Sequence, residues 1–330
     1  MVKTTLLDWL CPEHRTPLVE REGTLKCESA HNYTIRDGIP RFVPESNYSD
    51  HFGTQWNHYR HTQLDSHTGS SITKDRLRRC LGEELWANLA GKVVLECGCG
   101  AGRFTEILLT EGASVVSVDL SSAVEANAAN FPVTQNHIVA QADINSLPLA
   151  YQEFDIVLCL GVVQHTPSPE KTIKSLYSHV APGGALVIDH YTGRMAWYSK
   201  SAWLFRAVLK RLPDDRAMRA TNKLVDLFLP IHQKVRTSRL GRSVVHRISP
   251  ILSYYTVFPQ LNDNLQREWS LLDTHDSLTD WYKHWRTRDQ IYQAIDRLGM
   301  VNIWCEYGGN GVEARAYRPL HEVAQRAGEI

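Results

Sequence analysis

Five residues set the chemistry this 330-residue chain can do: Glu96, Gly98, Gly100, Gly102 and Asp119. The apolar run Val93, Val94, Leu95 ends in the acid and then in glycines at alternate positions, and Phe104, Ile107 and Leu108 follow on one helical face. That pattern writes a strand, a tight loop and a helix. The glycines let the backbone turn with unusual φ and let a ligand come close. A second apolar run, 114–118, ends in Asp119. An acid about 20 positions beyond the first glycine, at the tip of the next strand, is placed to accept hydrogen bonds from ribose hydroxyls. The unit reads as a nucleoside-binding βαβ. A dinucleotide fingerprint would need a third glycine at position 103, where the chain has Arg103, and this counts against NAD.

The order E-x-G-x-G-x-G with its downstream Asp119 resembles motif I of the class I S-adenosylmethionine (SAM) methyltransferases. SAM has no pyrophosphate, and its amino-acid end carries an ammonium and a carboxylate. Loop N–H groups would serve the carboxylate, while Glu96 orders the loop and its ligand network. Two later stretches continue the resemblance. "QADINSLPL" places Asp143 and Ile144 at the adenine, and "DIVLCLGVVQHTPSP" supplies the loop from Gly161 to His165 beside the methyl group. The resemblance thus implies cofactor contacts from Glu96, Gly98, Gly100, Gly102, Asp119, Leu120, Asp143, Ile144 and Gly161. A lone strand-end aspartate would ordinarily be a helix cap; Asp143 is one member of an ordered series.

The sulfonium already makes the methyl group electrophilic, so the protein must align an acceptor and, for a hydroxyl, remove its proton. Three histidines are candidates for that base: His165 in the loop after the fourth strand, His190 beside Tyr191 at the end of the fifth, and His275. His275 lies between Asp273 and Asp276 in "LLDTHDSLTDWYKHW", which resembles an acidic stretch in methyltransferases associated with cell-surface polysaccharide genes. Any one of the three, taken singly, also reads as a hydrogen-bonded structural residue.

A separate constellation lies near the N-terminus. Cys11 and His14 are three apart and Cys27 and His31 four apart, with room for a β-hairpin between the pairs. Four such ligands on two knuckles suit structural tetrahedral Zn²⁺, and the segment resembles zinc ribbons of some methyltransferases and their activator subunits, including the "IRDGIPRF" strand that follows. A module this small would draw much of its folding free energy from the metal; a metal-free hairpin is the alternative.

These sites need a scaffold, and the chain supplies one at 43% hydrophobic residues. Helix 122–130, strands 137–142 and 154–160, helix 169–180 and strand 185–190 keep the rhythm of a parallel sheet. Helix 288–298 and strands 301–307 and 312–318 finish it. The expected architecture is an α/β, Rossmann-like class I methyltransferase sheet with an N-terminal zinc ribbon (1–45), a linker and helical cover (46–90), a SAM-binding core (91–191), a helical basic insertion after the fifth strand acting as acceptor lid (192–286), and the end of the core (287–330). In the cover, Phe52, Trp56 and Tyr59 fall at helical spacing within "HFGTQWNHYRHTQLDS", itself similar to a segment upstream of the SAM domain in the polysaccharide-associated group. Either core packing or a lid over the cofactor would use such a stripe.

Net charge is zero, yet residues 194–250 hold thirteen Lys or Arg against three Asp, an excess of ten. That asymmetry points to an anionic partner or to a solvated face. Leu224, Phe228, Ile231 and Val235 make one face of the insertion apolar, and Trp197, Trp203, Leu204 and Phe205 add weight at its start. The expected acceptor is a small molecule, a sugar, glycan or related metabolite, with peripheral contact to an anionic membrane face; RNA base methylation is the alternative. The absence of a bilayer-length apolar run and of a signal pattern, with Lys3 and Asp8 near the start, leads to the expectation of a cytoplasmic protein with reduced thiols.

Overall fold

The structure, a computed structural model, describes residues 8–44, 47–193 and 201–320. The chain opens with four short antiparallel strands in sequential order, β1 (Val19–Arg21), β2 (Thr24–Lys26), β3 (Asn32–Arg36) and β4 (Ile39–Pro40). Helices α1 (Asp50–His58), α2 (Asp65–Thr68) and α3 (Ile72–Ala87) follow. Then come β5 (Val93–Cys97), α4 (Arg103–Thr110), β6 (Ser114–Asp119), α5 (Ala123–Asn130), β7 (His137–Gln141), β8 (Phe154–Cys159), α6 (Pro169–His179) and β9 (Val180–His190). The insertion is α7 (Ala202–Leu209), α8 (Asp214–Val235), α9 (Arg239–Ile248) and α10 (Asp263–Thr279). The chain ends in α11 (Arg288–Asp296), β10 (Val301–Gly308) and β11 (Gly311–Tyr317).

The main sheet has seven strands in the order β10-β11-β9-β8-β5-β6-β7. Strands β5 to β9 run parallel, and β11 enters antiparallel against β9. Runs such as Val94, Leu95 in β5 and Val115, Val116 in β6 are wholly buried, as a sheet covered on both faces requires. Local chemistry starts the helices on schedule. Ser168 Oγ accepts from Lys171 N–H ahead of Pro169, and Thr287 with Gln290 forms a reciprocal capping box before α11. This is the mixed-sheet, Rossmann-like fold of class I methyltransferases.

The N-terminal strands are not a module with its own interior. Leu25 and Phe42 belong to the same apolar cluster as the central strands. Phe42 N–H donates to Gln141 O at 2.8 Å, Leu10 N–H to Pro148 O at 2.9 Å, and the Arg15 guanidinium to the carbonyls of Leu147 and Leu149. The chain from β4 therefore runs along β7 and covers what would be a free sheet edge. Beyond what a metal would contribute, the segment therefore draws stability from the apolar cluster it shares with the main sheet.

At the other end, Arg286 N–H donates to Tyr191 O at 2.9 Å and His284 N–H to Gln164 O at 3.0 Å. The two ends of the insertion meet at the carboxyl end of β9, above the sheet edge where open α/β folds bind ligands. Trp197 lies outside the described residues.

Candidate cofactor and acceptor site

A cavity opens over the carboxyl ends of β5 to β8, lined among others by Gly98, Gly100, Asp119, Leu120, Asp143, Ile144, Gly161 and His165. Gly98 has φ +76°, and a Cβ there would lie 2.2 Å from Val162 Cγ2; positive φ and close approach both demand glycine. Asp119 Oδ2 accepts from Gly100 N–H at 3.0 Å, and Oδ1 from Ser121 N–H at 2.8 Å and Ser121 Oγ at 2.7 Å. Burial raises its carboxyl pKa against these bonds. Asp143 Oδ1 caps the turn that follows, accepting from Asn145 N–H at 2.8 Å.

Glu96 and Gly102 stand outside this lining. The Glu96 carboxylate lies beneath the loop, where Oε2 accepts from Thr105 Oγ1 at 2.5 Å and Ser117 Oγ at 3.0 Å. Burial pushes its pKa up to about 7. Its part here is to brace the loop from below. Gly102 has φ +95°, and a Cβ would come within 2.6 Å of the Phe131 ring, so packing under the loop fixes the glycine.

The helical cover closes one side. Phe52 and Trp56 line the cavity, and a Cβ on Gly100 would lie 3.2 Å from the Trp56 ring. Tyr59 instead packs with Val225 and Leu229 of α8. The stripe thus divides between lid and core. Gly53 permits the contact, since a Cβ there would lie 2.3 Å from Ser122 Oγ. Asn57 Nδ2 then donates to Ser122 O at 3.0 Å, and His51 pairs with Asp214 of α8 at 2.6 Å. Helix α1 is tied to both the core and the insertion.

The three candidate histidines separate clearly. His165 is buried in the cavity wall, with Nδ1 3.0 Å from Asp280 Oδ2 and 3.2 Å from Tyr282 O. Both partners are acceptors, so in the neutral ring Nδ1 carries the proton and Nε2 presents the lone pair. Nε2 and Asp276 Oδ1 are buried, lack hydrogen-bond partners, and face each other at 4.0 Å. Burial opposes the His165 imidazolium, but Asp276 and Asp280 outweigh it and raise the pKa above the ordinary histidine value. Burial also lifts Asp276 to about 6. For Asp280, burial works upward, while Lys283, His165 and Arg206 together hold it below the usual carboxylate value.

His190 and His275 are buried outside the lining. His190 Nδ1 meets Tyr191 O at 2.8 Å, and burial lowers its pKa to about 4. His275 meets Thr221 Oγ1 at 3.1 Å between α10 and α8, and burial lowers it to about 3. The structure places both away from the cavity, so neither can serve as its base in this arrangement. The aspartates around His275 point the other way: Asp276 faces His165, and Asp273 lines the cavity while accepting from Gln63 Nε2 at 3.0 Å.

Sequence reasoning missed Asp280, Arg206 and Lys283, which hold the far side of His165. Arg206 Nε is 2.7 Å and Lys283 Nζ 3.2 Å from the Asp280 carboxylate. The i, i+4 spacing of Asp276 and Asp280 was the available signal. It also missed Asp189, which accepts from Gly161 N–H at 2.6 Å and from Arg76. Arg103, noted only for not being glycine, is half-buried in the cavity wall and donates to Gln63 Oε1 at 2.9 Å and Thr73 Oγ1 at 3.0 Å. Burial lowers its pKa to about 10.

In the N-terminal segment, Cys11 Sγ lies 3.5 Å from His14 Nδ1 and 3.8 Å from His31 Nδ1, and Cys27 Sγ lies 3.6 Å from His14 Nδ1. Cys11, His14 and His31 bring their ligand atoms within 4.8 Å of one another, while Cys27, the fourth residue named from the sequence, reaches His14 but stands outside that group. None of the seven cysteines forms a disulfide. Among the described residues no helix is long and apolar enough to cross a membrane.

Residues 95–188 match the methyltransferase domain family. The ubiquinone biosynthesis O-methyltransferase of Pseudomonas putida (strain GB-1) is 32% identical over 133 residues, 38% of this chain and 56% of the relative. The like-named protein of Pseudomonas fluorescens (strain SBW25) is 36% identical over 103 residues, 29% of this chain and 43% of the relative. The chain thus spans about half the length of the curated relatives it matches. Human N-acetylserotonin methyltransferase, solved in complex with SAM, superposes with a TM-score of 0.45 at 13% identity, over 84% of this chain and 60% of that one. Taken with the sheet order and the acid-flanked glycine loop, the family match identifies the core as a class I SAM-dependent methyltransferase domain.

Proposed function

We propose that the protein transfers the methyl group of SAM to a hydroxyl of a small-molecule acceptor, with a sugar, glycan or related metabolite as the favoured class. The observation that carries this reading is the pair of unpartnered buried atoms, His165 Nε2 and Asp276 Oδ1, 4.0 Å apart in the cavity wall. A hydroxyl oxygen about 2.8 Å from His165 Nε2 could enter that gap and donate its single proton to the ring nitrogen. His165 accepts the hydroxyl proton at Nε2, and Asp280 orients the ring through Nδ1–H. Arg206 and Lys283 keep Asp280 ionised, and they already neutralise the carboxylate that a divalent cation would need.

The residues present fit the cofactor. The glycine loop after β5, Asp119 at the end of β6 and Asp143 after β7 follow one another across the sheet and line one cavity, an order in which the loop N–H groups would meet the amino-acid end, Asp119 the ribose and Asp143 the adenine. When bound, SAM supplies an electrophilic methyl group on a sulfonium. Phe52, Trp56 and Tyr254 supply flat apolar walls, and Lys283 and Asp276 the polar points, a combination suited to a hydroxylated ring. Relatives named as ubiquinone biosynthesis O-methyltransferases favour oxygen as the acceptor atom.

The test is His165→Gln in an assay of methyl transfer to hydroxylated acceptors. Turnover should fall about 10²–10⁴-fold while SAM affinity holds. In the wild type, activity should rise with pH through a value above the ordinary histidine pKa, because a raised pKa keeps the base protonated for longer. Full turnover by His165→Gln, or transfer only to an RNA base, would overturn the reading.

A structural zinc at Cys11, His14, Cys27 and His31 belongs to the same proposal. Bonds of about 2.3 Å to sulfur and 2.0–2.1 Å to nitrogen at a tetrahedral angle put S and N about 3.6 Å apart. The three S···N separations of 3.5, 3.6 and 3.8 Å match that edge. The ligand set leaves no open position, so its role would be to pin the two knuckles.

A further inference from the structure

We propose that α9, with the start of α7, is a docking surface for an anionic lipid bilayer. A surface helix of a globular protein ordinarily turns its apolar face inward. Helix α9 does not, for none of its residues is buried. Leu240, Val244 and Ile248 are 77%, 48% and 59% exposed. They are four residues apart and form one stripe along the helix. Arg239, Arg242 and Arg247 flank that stripe, with Lys234 and Arg236 just before it, and no acidic residue occurs between Asp226 and Asp263. Among the described residues none of these five cations has a carboxylate partner. An exposed apolar stripe bordered by unneutralised cations is the composition of a helix lying in the plane of an anionic interface.

Helix α7 extends the surface. Ser201 Oγ donates to Ile248 O at 2.5 Å, which brings the start of α7 to the end of α9, and Trp203 is 60% exposed there. The face also borders the cavity, since Ala202 and Pro250 line it and stand next to Trp203 and two residues beyond Ile248. A protein resting on this face would hold its acceptor cavity at the lipid boundary. RNA would use the cations but gain nothing from the apolar stripe.

Co-sedimentation of the full chain with vesicles of phosphatidylcholine and phosphatidylglycerol, against phosphatidylcholine alone, tests this. Binding should require the anionic lipid. The triple variant Leu240→Ser, Val244→Ser, Ile248→Ser should weaken it at least tenfold, and so should Arg239→Ser with Arg247→Ser. Calorimetric SAM affinity should be unchanged in both, since none of these residues lines the cavity. Wild-type protein that ignores anionic vesicles overturns the proposal. So does a triple apolar variant that still binds them like the wild type, the behaviour of an RNA-type charge surface, or a wild-type dimer that the triple variant abolishes. Loss of SAM binding in the wild type would instead count against the methyltransferase reading and leave this one standing.

Discussion

Replacing Asp119 with alanine should weaken SAM by about 10- to 150-fold. The carboxylate has about four lone-pair directions, and the chain uses three of them, for Gly100 N–H at 3.0 Å and for Ser121 N–H and Oγ at 2.8 and 2.7 Å. One remains for the ribose, and a hydrogen bond to a charged group contributes about 1.5–3 kcal/mol, which sets that range. The fold should tolerate the change, because burial raises the Asp119 pKa and its ionised form is costly to hold. Calorimetric titration with SAM and with its demethylated product, alongside thermal melts, is the assay. Affinity within threefold of wild type in a variant that melts normally would refute the placement of the ribose.

Two further outcomes follow from groups outside the cavity lining. Glu96, raised from 4.5 to about 7 by burial, binds its proton more tightly in the folded state, so the stability it contributes is present below pH 4.5 and lost as pH rises to about 7. Glu96→Gln should therefore gain on the wild type by about 2.5 kcal/mol between pH 5 and pH 8 in denaturant melts, and a difference that does not change with pH would refute this. Elemental analysis should find about one zinc per chain. Its removal by a chelator should lower the melting temperature without unfolding the core, since Leu25 and Phe42 are anchored in the main apolar cluster; protein that retains zinc in the double variant Cys11→Ser, Cys27→Ser would sink the assignment.

The cofactor loop was legible in the sequence because its chemistry is local. Strand, glycines, helix and the acid at the next strand tip sit within one βαβ unit, where short-range spacing fixes geometry. The approach of Cys11, His14 and His31 was readable on the same ground, since a hairpin needs only a few residues to bring its two ends together. The basic, amphipathic character of the insertion was also readable, although which helix turns its apolar side outward was not.

What the sequence could not decide is which distant groups meet. It put His165 first and kept His190 and His275 as alternatives, and burial between β9 and its neighbours or between α8 and α10 places the last two outside the cavity lining. The aspartates came from "LLDTHDSLTDWYKHW" and the histidine from "VVQHTPSP", and only the docking of α10 over the β8 loop joins them. Glu96 shows the converse. Its place in the motif was visible, but its position beneath the loop depends on which way one strand residue points once both faces of the sheet are covered. Periodicity names the elements a chain will form; the packing of elements far apart in sequence chooses which side chains share a cavity, because that choice is made by burial and shape complementarity over the whole core.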